Sequence, residues 1–207
     1  MKILVSPGVG EYEEKKSRFI AHLASVSTEE EAVAFFDEIK KKYWDAKHNC
    51  TAFVIGEDAS LTRCSDDGEP SGTAGKPILN VLLHSEIRNI ACVVTRYFGG
   101  TLLGTGGLIK AYSDAVSAAV SNSVVAEEIK GIRIPFVIEY ENYSKVQSEL
   151  ERNGVSLKDA AFTDKVSAAV EIPAEMEEEV KGILTRITCG KVKIEEYSDC
   201  IIRKMTE

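Results

Sequence analysis

Thr95-Arg96-Tyr97-Phe98-Gly99-Gly100-Thr101-Leu102-Leu103-Gly104-Thr105-Gly106-Gly107-Leu108-Ile109-Lys110 reads as a strand handing over to a helix. The apolar run Ile90 to Val94 leads in, and an alanine-rich helical pattern from Leu108 to Val120 leads out. Five glycines, Gly99, Gly100, Gly104, Gly106 and Gly107, fall within nine positions. Glycine loses more chain freedom on folding than any other residue, so such clustering needs a reason. A strand-to-helix turn leaves free backbone N–H groups at the helix start, and these attract anions. One reading is an anion or phosphate cradle on the amides of Thr105 to Leu108, with Arg96 and Lys110 nearby. The other is a tight crossover in which glycine lets helix and sheet approach closely. Neither standard nucleotide motif fits. Gly104-Thr105-Gly106 has Ile109 where a dinucleotide fingerprint needs its third glycine, and in Gly72-Thr73-Ala74-Gly75-Lys76-Pro77 a proline replaces the hydroxyl residue of a P-loop.

Upstream lies Ser65-Asp66-Asp67-Gly68-Glu69-Pro70-Ser71-Gly72-Thr73. Three carboxylates in four positions have the chemistry to bind a divalent cation or to act as acid and base. EF-hand spacing is absent, and the alternative is a solvated acidic loop with Ser71 or Thr73 capping the next helix. His48, in Ala46-Lys47-His48-Asn49-Cys50, offers a His-x-Cys pair of metal ligands, but nothing completes the set. A structural, hydrogen-bonding histidine is the competing reading. Trp44 reads as a core anchor at a helix end. Tyr97 and Phe98 flank Arg96 at a strand end and are candidates for stacking on bases, or for the core.

Composition bounds the function. The 207 residues suit one or two domains, and 44% apolar content is enough for a packed core. The formal net charge of -8 argues against a general nucleic-acid coat, though a local basic face remains open. No apolar run approaches the ~20 residues of a membrane helix, and the start of the chain breaks at Pro7, too early for a signal peptide. Five scattered cysteines without a CxxC pair read as cytosolic free thiols, most of them small core residues. A cytoplasmic protein without cofactor or metal is therefore expected.

The organisation follows from periodicity. Thr28 to Tyr43 forms a helix opened by a capping box of Thr28 and Glu31. Thr51 to Ile55 and Leu61 to Cys64 are strands, Ser65 to Gly75 is a loop, and Lys76 to Leu83 is helical. After a short polar junction, Val124 to Gly131, a second unit reads strand 132–140, helix 142–152, strands 155–163 and 165–172, helix 174–187 with Pro173 at its first position, and strand 191–197. That β-α-β-β-α-β order is the ferredoxin-like pattern.

Asp66 to Gly75 and Arg96 to Leu108 resemble the two signature blocks of the YigZ/IMPACT family. Lys16-Ser17-Arg18-Phe19-Ile20-Ala21 and His48-Asn49-Cys50 also match its pattern. The resemblance is to the bacterial two-domain type, without the RWD domain of eukaryotic members. It implies an α+β chain. Residues 1–127 would take the fold of ribosomal protein S5 domain 2, and residues 131–207 a ferredoxin-like domain similar to domain V of elongation factor G. Eukaryotic IMPACT proteins restrain a stress kinase by competing for its ribosome-associated activator. The resemblance therefore implies a translation-linked partner: the ribosome, RNA or a translation-associated protein. Lys16, Arg18, Arg96 and Lys110, with the glycine turn, would contact a phosphate backbone. The full candidate set adds His48, Asp66, Asp67, Glu69, Ser71, Thr73, Tyr97, Phe98, Gly99, Gly100, Gly104, Thr105, Gly106 and Gly107. The alternative function is an enzyme acting on a phosphorylated small molecule or nucleotide.

Overall fold

The computed structural model describes residues 1–205, which divide into two compact units, Met1–Glu127 with Met205, and Glu128–Lys204. The first unit runs β1 (Lys2–Ser6), β2 (Val9–Glu14), β3 (Ser17–Ser25), α1 (Glu29–Lys42), β4 (His48–Ile55), β5 (Leu61–Ser65), α2 (Gly75–His84), β6 (Ile87–Arg88), β7 (Ile90–Tyr97) and α3 (Gly104–Ser121). It ends on the first residues of β8 (Val124–Ile138). Its main sheet has the order β2-β3-β7-β4-β5, with every neighbouring pair antiparallel. A smaller pairing joins β1 to β6 in parallel and to Val124–Glu127 of β8.

The central strand explains the layering. A strand covered on both faces is a continuous apolar run, as Ile90 to Val94 is. Its alternate residues Ile90, Cys92 and Val94 join the core under α2 and α3, with Ile78, Leu82, Tyr112 and Ala115. Ala91 faces the other way, into a smaller cluster with Phe53, Ala32 and Val26, where Phe35 and Phe36 of α1 pack. The two-residue period carries the α2/α3 face on to Arg96 at the strand's end.

Helix α1 is capped at Thr28, with one half of the capping box formed as expected and the other shifted. The Thr28 side chain accepts from the Glu31 N–H, and the Glu31 carboxylate accepts from the Ser27 N–H at 2.6 Å, one residue further back than the motif implies. Trp44 is not the core anchor expected of it: it is 82% exposed. Tyr43 takes the inward place, its hydroxyl 2.9 Å from His22 Nε2. Only Cys50 and Cys92 of the five free cysteines are buried. Cys64 and Cys189 are exposed, so most are not core residues.

The second unit continues β8 through α4 (Tyr140–Arg152), β9 (Leu157–Phe162), β10 (Val166–Pro173), α5 (Glu177–Ile187), β11 (Lys193–Ile194) and β12 (Ser198–Met205). The order β11-β8-β10-β9, all antiparallel, is the ferredoxin-like sheet. One face of it, Ile134, Phe136 and Ile138 with Val166, Val170 and Ile172, packs on Val146 and Leu150 of α4 and Val180 and Leu184 of α5. Three boundaries differ from the sequence reading. Residues 124–131 are strand rather than a linking junction, because a polar segment can pair by its backbone whatever its side chains. Pro173 ends β10 instead of opening a helix, and a short 3₁₀ turn, Ala174–Met176, intervenes before α5. The final strand shrinks to two residues, and β12, paired with β8, follows it. Among the described residues no helix is long and apolar enough to cross a membrane.

Candidate functional site

Two antiparallel registers assemble the site. Arg96 of β7 sits opposite Phe19 of β3 and His48 of β4. This row lies where β7 gives way to the glycine turn, and the acidic loop after β5 closes over it. The loops therefore meet. Arg96 Nη1 donates to Glu69 Oε1 at 2.5 Å, with both side chains buried. The Tyr112 hydroxyl, from α3, donates to the same oxygen at 2.8 Å, and the Cys50 thiol donates to Tyr112 at 3.3 Å. The Arg96 guanidinium also lies 5.4 Å from the Phe19 ring centre and 5.6 Å from that of Phe98, within cation–π range. Its Nε is buried without a hydrogen-bond partner.

The three carboxylates of the acidic loop are used separately. Asp66 accepts from the N–H groups of Gly72, Ala74 and Gly75 at 2.8, 3.0 and 2.8 Å, and so caps the start of α2. Partial burial works to raise its pKa, but the three backbone donors outweigh this and hold it below the usual aspartate range. Asp67 accepts from the Asn49 N–H at 2.6 Å. Glu69 turns inward to Arg96. Among the described residues no group of three or more His, Cys, Asp or Glu is placed to hold a metal ion. The expected capping by Ser71 or Thr73 gives way to Asp66. Thr73 instead donates to the Pro70 carbonyl at 2.7 Å, and Ser71 is exposed. His48 Nδ1 lies 2.7 Å from the Asp67 carbonyl. A carbonyl can only accept, so Nδ1 carries the proton and His48 pins the loop.

The glycine turn differs from its sequence reading in one respect. Helix α3 begins at Gly104, four residues before Leu108, so the amides without an intrahelical acceptor are those of Gly104, Thr105 and Gly106. Neither a side-chain cap nor a first-turn acid satisfies them. Gly99 is set by close approach: a Cβ there would lie 2.1 Å from the Lys16 carbonyl carbon. Gly100 and Gly104 adopt φ of 86° and 71°, which side chains disfavour.

Several candidate residues stand apart from this centre. Arg18 is paired with Glu11 at 2.8 Å on the surface. Lys110 bonds Asp114 and lies 3.1 Å from the Tyr12 hydroxyl. The Tyr97 hydroxyl donates to Asp45 at 2.8 Å. Lys16 contributes through its backbone, at φ 64° beside Gly99. What the loops do border is an open cavity of about 400 Å³, lined by Lys47, His48, Glu69, Arg96, Phe98, Leu102, Gly104 and Thr105 among others. Phe98 and Leu102, 48% and 82% exposed, give it an apolar rim. The sequence reading passed over Lys47, Leu102 and Tyr112. A leucine amid loop glycines was a usable signal for Leu102. Tyr112 carried a weaker one, as the aromatic of an alanine-rich helix.

Residues 15–120, which hold this whole cavity, match the family described as the Impact N-terminal domain. Residues 136–191 match a domain of unknown function, DUF1949. The IMPACT family member YvyE of Bacillus subtilis (strain 168) is 42% identical, over 88% of this chain and 84% of that one. The IMPACT family member YigZ of Escherichia coli (strain K12) is 35% identical, over 87% of this chain and 89% of that one. A solved structure described as that of a hypothetical protein is 34% identical and has a TM-score of 0.60. The match covers 93% of this chain and 95% of that one.

Proposed function

The chain belongs to the IMPACT family, and we propose that it is a translation-linked binding protein of the cytoplasm that docks a protein partner through its acidic and glycine-rich loops. The observation that carries this reading is the Glu69–Arg96 pair beside the exposed Phe98 and Leu102. A groove for a phosphate backbone needs free cations. Three of the four expected here, Arg18, Arg96 and Lys110, already have carboxylate partners. An apolar rim around a charge-paired centre is instead the anatomy of a protein-docking patch.

Sedimentation with purified ribosomes across a salt series tests the reading. Association through protein contacts persists between about 50 and about 200 mM salt, whereas phosphate contacts lose affinity steeply over that range. Leu102→Asp is expected to abolish it. Absence of the wild-type protein from the ribosomal pellet at every salt concentration, or a steep salt loss indifferent to Leu102→Asp, overturns the reading.

A further inference from the structure

Three turns meet at the end of the main sheet that carries the cavity. The Tyr97 hydroxyl donates to Asp45 and ties the turn after α1 to the end of β7. Gly99 lies against the Lys16 backbone, which ties the β2–β3 turn to the glycine turn. Lys47 lines the cavity together with Phe98 and Leu102. Lysines crowd these turns. Lys15, Lys16, Lys41, Lys42 and Lys47 are exposed and pair with no carboxylate among the described residues. Glu13, Glu14 and Asp45 offset part of this charge, and Asp37 and Glu38 stand a helical turn further back. In a chain of net charge -8, the lysines still give this end a local field of the opposite sign.

The fold alone does not account for these side chains. The dipole of α1 explains Lys41 and Lys42 in and beside its last turn, but not Lys15, Lys16 or Lys47. Lys15 and Lys16 form the whole of a two-residue hairpin turn at φ of 47° and 64°, a conformation that asparagine and glycine take with less strain. Trp44, 82% exposed, stands in the same group of turns as the exposed Phe98 and Leu102. One exposed apolar side chain is ordinary, but several rimmed by charge mark a contact surface. Tryptophan is also among the residues that contribute most at such contacts.

We propose that this end of the sheet binds an acidic peptide segment of a partner protein, its carboxylates meeting the five lysines and its apolar side chains covering Trp44 and Leu102. The inference rests on the protein-docking reading and supplies the partner's chemistry. Charge complementarity selects the acid. A single nucleic-acid strand would offer phosphates to the lysines and bases to Trp44, but it has no aliphatic group to cover Leu102. A peptide with both acidic and apolar side chains meets every part of the surface.

Trp44 is the only tryptophan in the chain, so its fluorescence reports on this surface directly. The full chain is titrated at physiological salt with an acetylated nonapeptide of glutamates, two leucines and a phenylalanine. Two counterparts replace its glutamates by glutamine or its apolar residues by serine, and oligouridylate represents nucleic acid. The acidic peptide is expected to shift the Trp44 emission saturably to shorter wavelength and to shield it from acrylamide. Each counterpart should bind at least about tenfold more weakly. Lys41→Glu combined with Lys47→Glu, both at exposed positions, should weaken the acidic peptide by about tenfold or more. Leu102→Ser should weaken it too. Absence of a saturable response, equal binding of either counterpart, indifference to the lysine variant, or equal or tighter binding of oligouridylate each overturns the proposal. Ribosome sedimentation is read separately. A ribosomal pellet without a peptide response removes this inference alone, and a peptide response without a pellet removes only the link to translation.

Discussion

Arg96 and Glu69 lock the two signature loops together: Nη1 lies 2.5 Å from Oε1, with the two side chains 7% and 3% exposed. Breaking a buried pair by removing one partner strands the other charge, at a cost of about 3–5 kcal/mol. Glu69→Leu and Arg96→Met should each destabilise the fold by roughly that amount. The double variant should recover much of the loss. Urea denaturation of all four proteins measures the coupling, and additive losses would show that the pair does not hold the loops.

Tyr112 is fully buried and spends its hydroxyl on Glu69 while accepting from Cys50. Its ring packs edge-on against Phe19 at 5.1 Å. Tyr112→Phe keeps that packing and removes both hydrogen bonds. A loss of about 1–3 kcal/mol is expected, read as a lowered thermal midpoint. An unchanged midpoint would mean Glu69 is sufficiently held by Arg96 alone.

Two glycines of the turn should behave oppositely. Gly99→Ala drives a methyl into the Lys16 backbone and should cost about 1–3 kcal/mol or more. Gly106→Ala meets nothing within 4 Å and replaces a poor helix former, so it should stabilise by about 0.5–1 kcal/mol. Denaturation midpoints of the two variants decide this, and a stable Gly99→Ala would contradict the close approach.

Asp66 gives the stability a dependence on pH. Its folded pKa lies below the ordinary value, so its contribution is complete above the unfolded pKa of about 3.9 and is lost as pH falls through the folded one. Asp66→Asn should therefore flatten the decline in stability below about pH 4. Asp66→Ala should cost about 1–2 kcal/mol near neutrality by uncapping α2. Denaturation curves across pH measure both effects, and parallel wild-type and Asp66→Asn profiles would refute the assignment.

The thiols should divide by burial. Burial pushes Cys50 up to about 12 and Cys92 well above its usual range. A thiol reagent near neutral pH should label Cys64 and Cys189 quickly in the native protein, Cys200 more slowly, and Cys50 and Cys92 only after unfolding. Mass mapping of the labelled peptides checks the order.

Much of the scaffold could be read from the chain because its cause is local. The apolar run Ile90 to Val94, the capping box at Thr28 and the strand-helix alternation of the second unit each depend on near neighbours in sequence. Local pattern misled where backbone pairing or tertiary packing overrode it. Residues 124–131 became strand, and α3 reached back over Gly104, Gly106 and Gly107 because Leu108, Ala111 and Tyr112 are held in the core.

The sequence by itself determined the family, through two loops whose residue types are specific, and an α+β chain with a ferredoxin-like second unit. Only the tertiary structure decided what those residues do. Glu69, Arg96 and Tyr112 are separated by 27 and 43 positions measured from Glu69, and no periodicity links them. Antiparallel register and the seat of α3 bring them to one point. There the low dielectric makes pairing obligatory, so Glu69 becomes a buried counter-ion and Arg96 a constrained donor. Asp66 and Asp67, adjacent in sequence to one another, are drawn by different backbone donors into separate tasks. The glycine turn could suggest an anion. The fold placed Gly104 and Thr105 with Arg96, Phe98 and Leu102 around one cavity.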